Sequence, residues 1–300
     1  MIAREPITAP RFPAIKLILF LILAFALSWY PWVLALLRHA TSGPNPLGLL
    51  VAALIVLALN TGWRGPHDLL LAIVRVRVAP TRWLAALLIP VGIVAVALAC
   101  AAALGMTIKL EPPPWSDLFD RFVFTLLFVA LGEEPAWRGF LLPMLQRWLS
   151  PILATLIVAA IWSIWHLPLW GSEFAWSVVP PFLISLFGGA FVLSWLYNAS
   201  RGSVLMPMLM HATLNTVAAG YVFHLIGKSD LQRFWWLYAL LWLAAGTITV
   251  LATRGRLGLA CRGALRHETD SDQTAHRGVV LQECLLLLDT DWAVIYLPDK

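Results

Sequence analysis

The sequence predicts an all-α fold: a polytopic membrane helix bundle of about eight transmembrane helices with both termini cytoplasmic. Three observations carry this expectation. Apolar residues make up 60% of the 300-residue chain and charged residues only 12%, about half the charged share of an ordinary soluble domain. The mean hydropathy is +0.81. The apolar residues also fall in runs of about 20, the length that crosses a hydrocarbon core.

The first run, 15–37, follows the basic stretch MIAREPITAPRFPAIK. It is too long for a signal-peptide core and lacks a small-residue cleavage site, so it reads as an uncleaved first span. Further spans are expected at 46–62, 82–105, 118–146, 151–170, 176–198, 203–226 and 233–253. The segment 66–81 mixes apolar residues with Arg75 and Arg77 and reads as an interfacial helix. Pro112, Pro113 and Pro114 form a stiff entry to the fourth span, which is long enough to bend. With the N-terminus inside, inner segments carry Arg4, Arg11, Lys16, Arg64, Arg75, Arg77, Arg82, Arg147, Arg201, Arg254 and Arg256. Outer loops carry Arg38, Lys109, Arg121, Lys228 and Arg233, the bias that the positive-inside rule requires. Tryptophans near span ends, such as Trp29, Trp32, Trp63, Trp83 and Trp115, fit interfacial belts or core positions.

Three parts follow from this pass: N-terminal helices with the interfacial segment over 1–80, a core over 81–254, and a tail over 255–300. The tail begins with the polar, disorder-like RHETDSDQTAHRG. Two aspartates then interrupt the apolar VVLQECLLLLDTDWAVIYL, which could make a surface hairpin. Neither an internal repeat nor a basic run is present, and the net charge of +5 is explained by membrane orientation, so no nucleic-acid partner is expected. Cys100, Cys261 and Cys284 are scattered and offer no disulfide framework or CxxC knuckle. The ending YLPDK carries no lipidation signal.

Ionisable groups inside spans each cost roughly 2.5–3.5 kcal/mol on the insertion scale. Here they concentrate in three segments: GEEPAWRG with Glu133, Glu134 and Arg138, WSIWHLP with His166, and MLMHATLN with His211 and Asn215. Glu134 and Arg138 are four apart and can pair on one helix face. Glu133, about 100° around the helix, is left to face something else. Trp162 precedes His166 by four, and His211 precedes Asn215 by four. Pro135 removes a helix donor, while Gly132 and Gly139 permit close approach or a kink. A carboxylate, two imidazoles and an amide converging in a low-dielectric pocket suit hydrolysis by activated water, with a base for the water and donors for an oxyanion. Ser163 lies three before His166 but has no evident activating partner. Each feature also has a structural reading, as a buried ion pair or as interhelical hydrogen bonding.

The series Glu133-Glu134-x-x-x-Arg138, then His166, then His211-x-x-x-Asn215 resembles the three-motif signature of the CPBP family. That family comprises the type II CAAX prenyl endopeptidases and the bacterial abortive-infection or bacteriocin-processing membrane proteins. The resemblance covers roughly residues 80–226. It implies an eight-helix core and an intramembrane endopeptidase in which Glu133 and His166 activate water, and His211 and Asn215 stabilise the oxyanion. Glu134 and Arg138 support the first motif. The family usually has Phe four residues before its second-motif histidine; this chain has Trp162, which puts substrate fit in doubt more than chemistry.

Metal chemistry stays open in this reading. Members are often labelled metalloproteases, and Glu133, His166 and His211 could bind zinc, but no HExxH is present and no metal is favoured. A peptide or membrane-protein substrate, prenylated or not, is expected together with a bacterial plasma membrane setting. Two other classes compete: a non-proteolytic immunity or assembly partner that keeps the pocket for binding, and a proton-coupled transporter using the same buried groups.

Overall fold

The computed structural model describes residues 13–109, 111 and 114–259. The expected disordered stretch and hairpin of the tail, together with Arg4, Arg11, Pro112 and Pro113, lie outside the described residues. No strand forms among the described residues, whose helices follow one another in a bundle. We number them α1 (Ala14–Leu37), α2 (Leu47–Thr61), α3 (Arg64–Ile73), α4 (Pro80–Ala103), α5 (115–146), α6 (Pro151–Trp165), α7 (Val179–Ala199), α8 (205–225) and α9 (Leu231–Ala252). Each expected span has its helix, displaced by a few residues at most ends. Among the described residues, five segments are long and apolar enough to cross a membrane: Ala14–Leu37, Pro80–Ala103, Pro151–Leu169, Trp176–Ala199 and Leu231–Ala252. The protein is thus an all-α multi-pass membrane bundle.

The burial pattern agrees with a lipid setting. In α4 the inward stripe is Ala86, Pro90, Val94, Ala97 and Ala101, whereas Leu84, Leu88, Val91 and Val96 are exposed. Small residues inside and bulky apolar ones outside suit helices whose backbones approach closely while their outer faces meet acyl chains. Phe20 of α1 packs at 4.8 Å on Phe140 and 6.2 Å from Trp137 of α5, so the N-terminal helices share one core with the rest.

Local sequence sets the helix ends. Pro80 opens α4 at its first turn, where the missing N–H costs nothing, and Gly105 at φ +69 follows its last turn. Ser150 caps α6 by accepting from the Leu153 amide at 3.2 Å, with Pro151 next. The interfacial segment is helical only to Ile73, after which Val74–Ala79 runs irregularly to Pro80.

The fourth expected span is a continuous rod of mixed pitch. Its α-helical stretches Trp115–Phe124, Leu131–Glu134 and Leu142–Gln146 alternate with π-helical turns Thr125–Ala130 and Pro135–Leu141. Pro135 cannot donate to the carbonyl one turn back, and the wider turn carries the chain past that gap without a break. A single helical turn bearing Glu133 and Glu134 is thereby held between two wide ones.

Candidate functional site

The rod α5 is drawn into the bundle by Gly132. A Cβ there would lie 2.4 Å from the Pro46 carbonyl carbon at the start of α2, so only glycine permits this approach. The two residues that follow are Glu133 and Glu134, 2% and 0% exposed, and one turn later Arg138 is fully buried.

Glu134 and Arg138 pair as their spacing predicts. The Arg138 Nη1 donates to both carboxylate oxygens of Glu134, at 2.8 and 3.0 Å. The structure adds a third member: His211 Nδ1 lies 2.8 Å from Glu134 Oε1. Glu134 therefore ties α5 to α8 as well as supporting its own helix, and it fixes which imidazole nitrogen is engaged. Arg138 Nε and Nη2 are buried without a hydrogen-bond partner among the described residues.

Glu133 faces the other way, toward α6. Its Oε2 accepts from the Trp162 indole N–H at 2.6 Å. Trp162 connects this carboxylate to the rest of the site. Its ring lies under the Arg138 guanidinium at 4.4 Å, and its centroid is 5.7 Å from both His166 and His211. Its backbone carbonyl receives His166 Nδ1 at 2.8 Å. A carbonyl only accepts, so that nitrogen carries the proton, and Nε2 is the ring atom without a hydrogen bond among the described residues.

His166 owes its position to the end of α6. It is the residue after Trp165, and Pro168 two positions on prevents the helix from continuing. Trp165 and Phe182 enclose its ring edge-on, each at 5.1 Å between centroids. Asn215 lies one turn beyond His211 on α8, half-buried, and its amide makes no hydrogen bond among the described residues. Ser163 donates to the Ala159 carbonyl at 2.8 Å, so its hydroxyl serves its own helix.

Glu133, His166 and His211 engage Trp162 Nε1, the Trp162 carbonyl and Glu134, respectively. Among the described residues no three His, Cys, Asp or Glu side chains form a group that could hold a metal ion. The residues in this arrangement do not fit a three-ligand zinc site.

Residues 115–217 match the family model described as Type II CAAX prenyl endopeptidase Rce1-like. That matched segment is similar to the CPBP family. It holds Glu133, Glu134, Arg138, Trp162, His166, His211 and Asn215, so the hydrogen-bonded centre of the bundle and the family segment coincide. The chain is also 26% identical over 110 residues to a protein named CAAX prenyl protease 2 from Methanococcus maripaludis. That alignment covers 34% of this chain and 41% of the relative, so the similarity spans about two fifths of the relative's length.

Two features of the matched segment are not legible in the sequence alone. The sequence assigns Trp162 a bearing on substrate fit alone, yet its N–H holds Glu133. A buried indole N–H needs an acceptor, and that requirement was a usable signal. The bond from His211 to Glu134 rather than Glu133 had no signal in one sequence, because it depends on the relative rotation of α5 and α8.

Proposed function

We propose that this protein is an intramembrane endopeptidase that hydrolyses a peptide bond with water activated by Glu133 and His166. The single observation supporting this most strongly is the buried carboxylate of Glu133, held at 2.6 Å by an indole whose ring also lies beside both imidazoles. One carboxylate oxygen is occupied by Trp162, which leaves Oε1 to take a proton from water. The water oxygen attacks the scissile carbonyl carbon, and the new oxyanion accepts from the Asn215 amide and from Nε2–H of His211, which acts as an imidazolium because its Nδ1–H is already given to Glu134. His166 Nε2 positions the water. Collapse breaks the C–N bond, and the proton on Glu133 passes to the departing amine. A base of this kind contributes about 10²–10⁴ in rate, and an oxyanion donor about 10²–10³.

Glu134 and Arg138 serve this scheme by position. Glu134 accepts from Arg138 and holds His211 by Nδ1, which leaves Nε2 for the substrate. In this reading the substrate is a peptide or membrane-protein segment that reaches the site from the membrane or its cytoplasmic side. The name of the archaeal relative makes a prenylated C-terminal peptide the first class to try. Both termini face the cytoplasm of a bacterial plasma membrane, following the basic residues of the inner loops. No metal is assigned a role, so cleavage is expected to survive strong chelators at the untreated rate.

The test is peptide cleavage by protein reconstituted in liposomes, with prenylated and unmodified peptides compared. Glu133→Gln and His166→Ala should each reduce turnover by at least about a hundredfold while the protein keeps its helical content. Full turnover in either folded variant would overturn the roles assigned here.

A further inference from the structure

A polar cavity lies where the α3–α4 linker meets the α7–α8 turn. The two segments are laced together: Val204 N donates to Ala72 O at 2.9 Å, Ser203 Oγ to Arg75 O at 2.8 Å, and Arg75 Nη1 to Arg201 O at 3.0 Å. Beside this seam is a cavity of about 380 Å³ whose walls include Arg77, Arg82, Ser200, Arg201 and Ala79. No carboxylate lines it among the described residues. Three guanidinium-bearing residues around one concavity make its wall positive.

Three further observations give the cavity a ligand preference. Ser200 is 1% exposed, and its hydroxyl has no hydrogen-bond partner among the described residues. The Arg82 Nε is likewise buried without a partner there, while its guanidinium is stacked over the Trp195 ring at 5.2 Å. Stacking fixes the plane of the group and leaves its N–H edge to meet an anion. Finally, Ala79 occupies the N-cap of the 24-residue helix α4 and provides no side-chain cap. The positive end of that helix dipole therefore abuts the cavity wall.

We propose that this cavity binds a phosphate group, with Arg77 and Arg82 pairing its oxygens and the Ser200 hydroxyl donating a hydrogen bond. Arginine matches phosphate geometry with two parallel N–H donors. The site sits at the ends of α4 and α7, where a bundle in lipid meets the headgroup layer, so an anionic lipid and free phosphate share the required chemistry. It is separate from the buried carboxylates: His211 lies six residues beyond the start of α8, about 9 Å along the helix axis.

Detergent-purified full-length protein would be exchanged into nanodiscs of phosphatidylcholine with a minor fraction of phosphatidylglycerol, and retained lipid counted by native mass spectrometry. In a parallel arm, inorganic phosphate is titrated against thermal unfolding in detergent without lipid. Wild-type protein should retain phosphatidylglycerol selectively. The Arg77→Gln/Arg82→Gln double variant should lose that selectivity roughly tenfold, and Ser200→Ala by a smaller factor. Arg254→Gln/Arg256→Gln, which removes basic residues outside the cavity, should retain lipid like wild type. Stabilisation by phosphate without lipid selectivity would identify free phosphate as the source. Where the double variant does not fold, Ser200→Ala and the phosphate arm decide. The proposal is overturned if neither lipid nor phosphate binds, or if Arg254→Gln/Arg256→Gln loses as much as the cavity variants.

Discussion

The seam between α7 and α9 and the centre between α5, α6 and α8 solve the same packing problem by opposite means. At the seam, Gly188 and Gly246 bring two backbones into contact: a Cβ on Gly188 would lie 2.3 Å from Trp242 O, and one on Gly246 would lie 2.7 Å from Gly188 O. Dispersion over this close approach is sufficient to join helices in lipid, where no hydrophobic difference favours association. At the centre, Glu133, Glu134, Arg138 and His211 are buried together, Glu134 hydrogen-bonded to Arg138 and His211 and Glu133 to Trp162. Each such ion carries an insertion penalty of roughly 2.5–3.5 kcal/mol. The seam demonstrates that this bundle can join helices without that penalty. Adhesion alone therefore does not account for the polar centre, which is the physical ground for assigning it chemistry.

The largest effect is expected at Glu134. Glu134→Ala removes the carboxylate paired with buried Arg138 and leaves His211 Nδ1 without its acceptor, a change of the kind that costs about 3–5 kcal/mol. Glu134→Gln retains a carbonyl acceptor and should lose less. Unfolding in bicelles measures both; equal stability of the Ala variant and wild type would show that the centre contributes no more to packing than the seam does.

Trp162→Phe tests one bond within the centre. The ring faces that meet Arg138, His166 and His211 persist, while the N–H that holds Glu133 at 2.6 Å is removed. Loss of a hydrogen bond to a buried charged group predicts a destabilisation of about 1.5–3 kcal/mol. Under the proposed function, peptide turnover falls as well, since Glu133 gains freedom to leave the position from which it activates water. A variant with wild-type stability and turnover would reduce Trp162 to an aromatic wall.

Gly188→Ala probes the seam. The added methyl meets the Trp242 backbone rather than a mobile side chain, so the helices must shift, at a cost of about 1–3 kcal/mol. Turnover per folded molecule should be unchanged, because no residue of the polar centre lies at this contact. A proportionate fall in turnover would show that the two regions are coupled.

The contrast between seam and centre also explains what could be read in the sequence. Spans were legible because the length of an apolar run such as 82–105 is set by the thickness of the bilayer, and α4 indeed occupies Pro80–Ala103. The Glu134–Arg138 pair was legible because it lies within one helix at a spacing of four. Contacts between helices were not. The π turns at Thr125–Ala130 and Pro135–Leu141 alter the phase of α5, so regular helical spacing does not fix which neighbour each glutamate meets. Arg77, Arg82 and Arg201 read individually as signals of membrane orientation, and only folding brings them to one cavity. The glycines of the seam are illegible for the same reason, since Gly188 and Gly246 have no significance until α7 and α9 are placed side by side.

The smallest predicted effect concerns a carboxylate outside the spans. Asp230, at the N-cap of α9, accepts from the Thr107 amide at 3.0 Å and from Arg233 at 3.1 Å. The Thr107 amide, more than Arg233, holds this carboxyl below its ordinary value. A folded-state value below the unfolded one means that the carboxylate stabilises the protein above the unfolded value, near pH ~4. That contribution is lost as pH falls through the depressed folded value. Asp230→Asn should therefore lower the melting temperature slightly at neutral pH and flatten its acid dependence, with the two proteins converging in acid. Identical acid slopes for variant and wild type would show that the carboxylate makes no net contribution, leaving the α4–α9 contact to its apolar neighbours and the backbone bond between Gly227 N and Thr107 O at 2.8 Å.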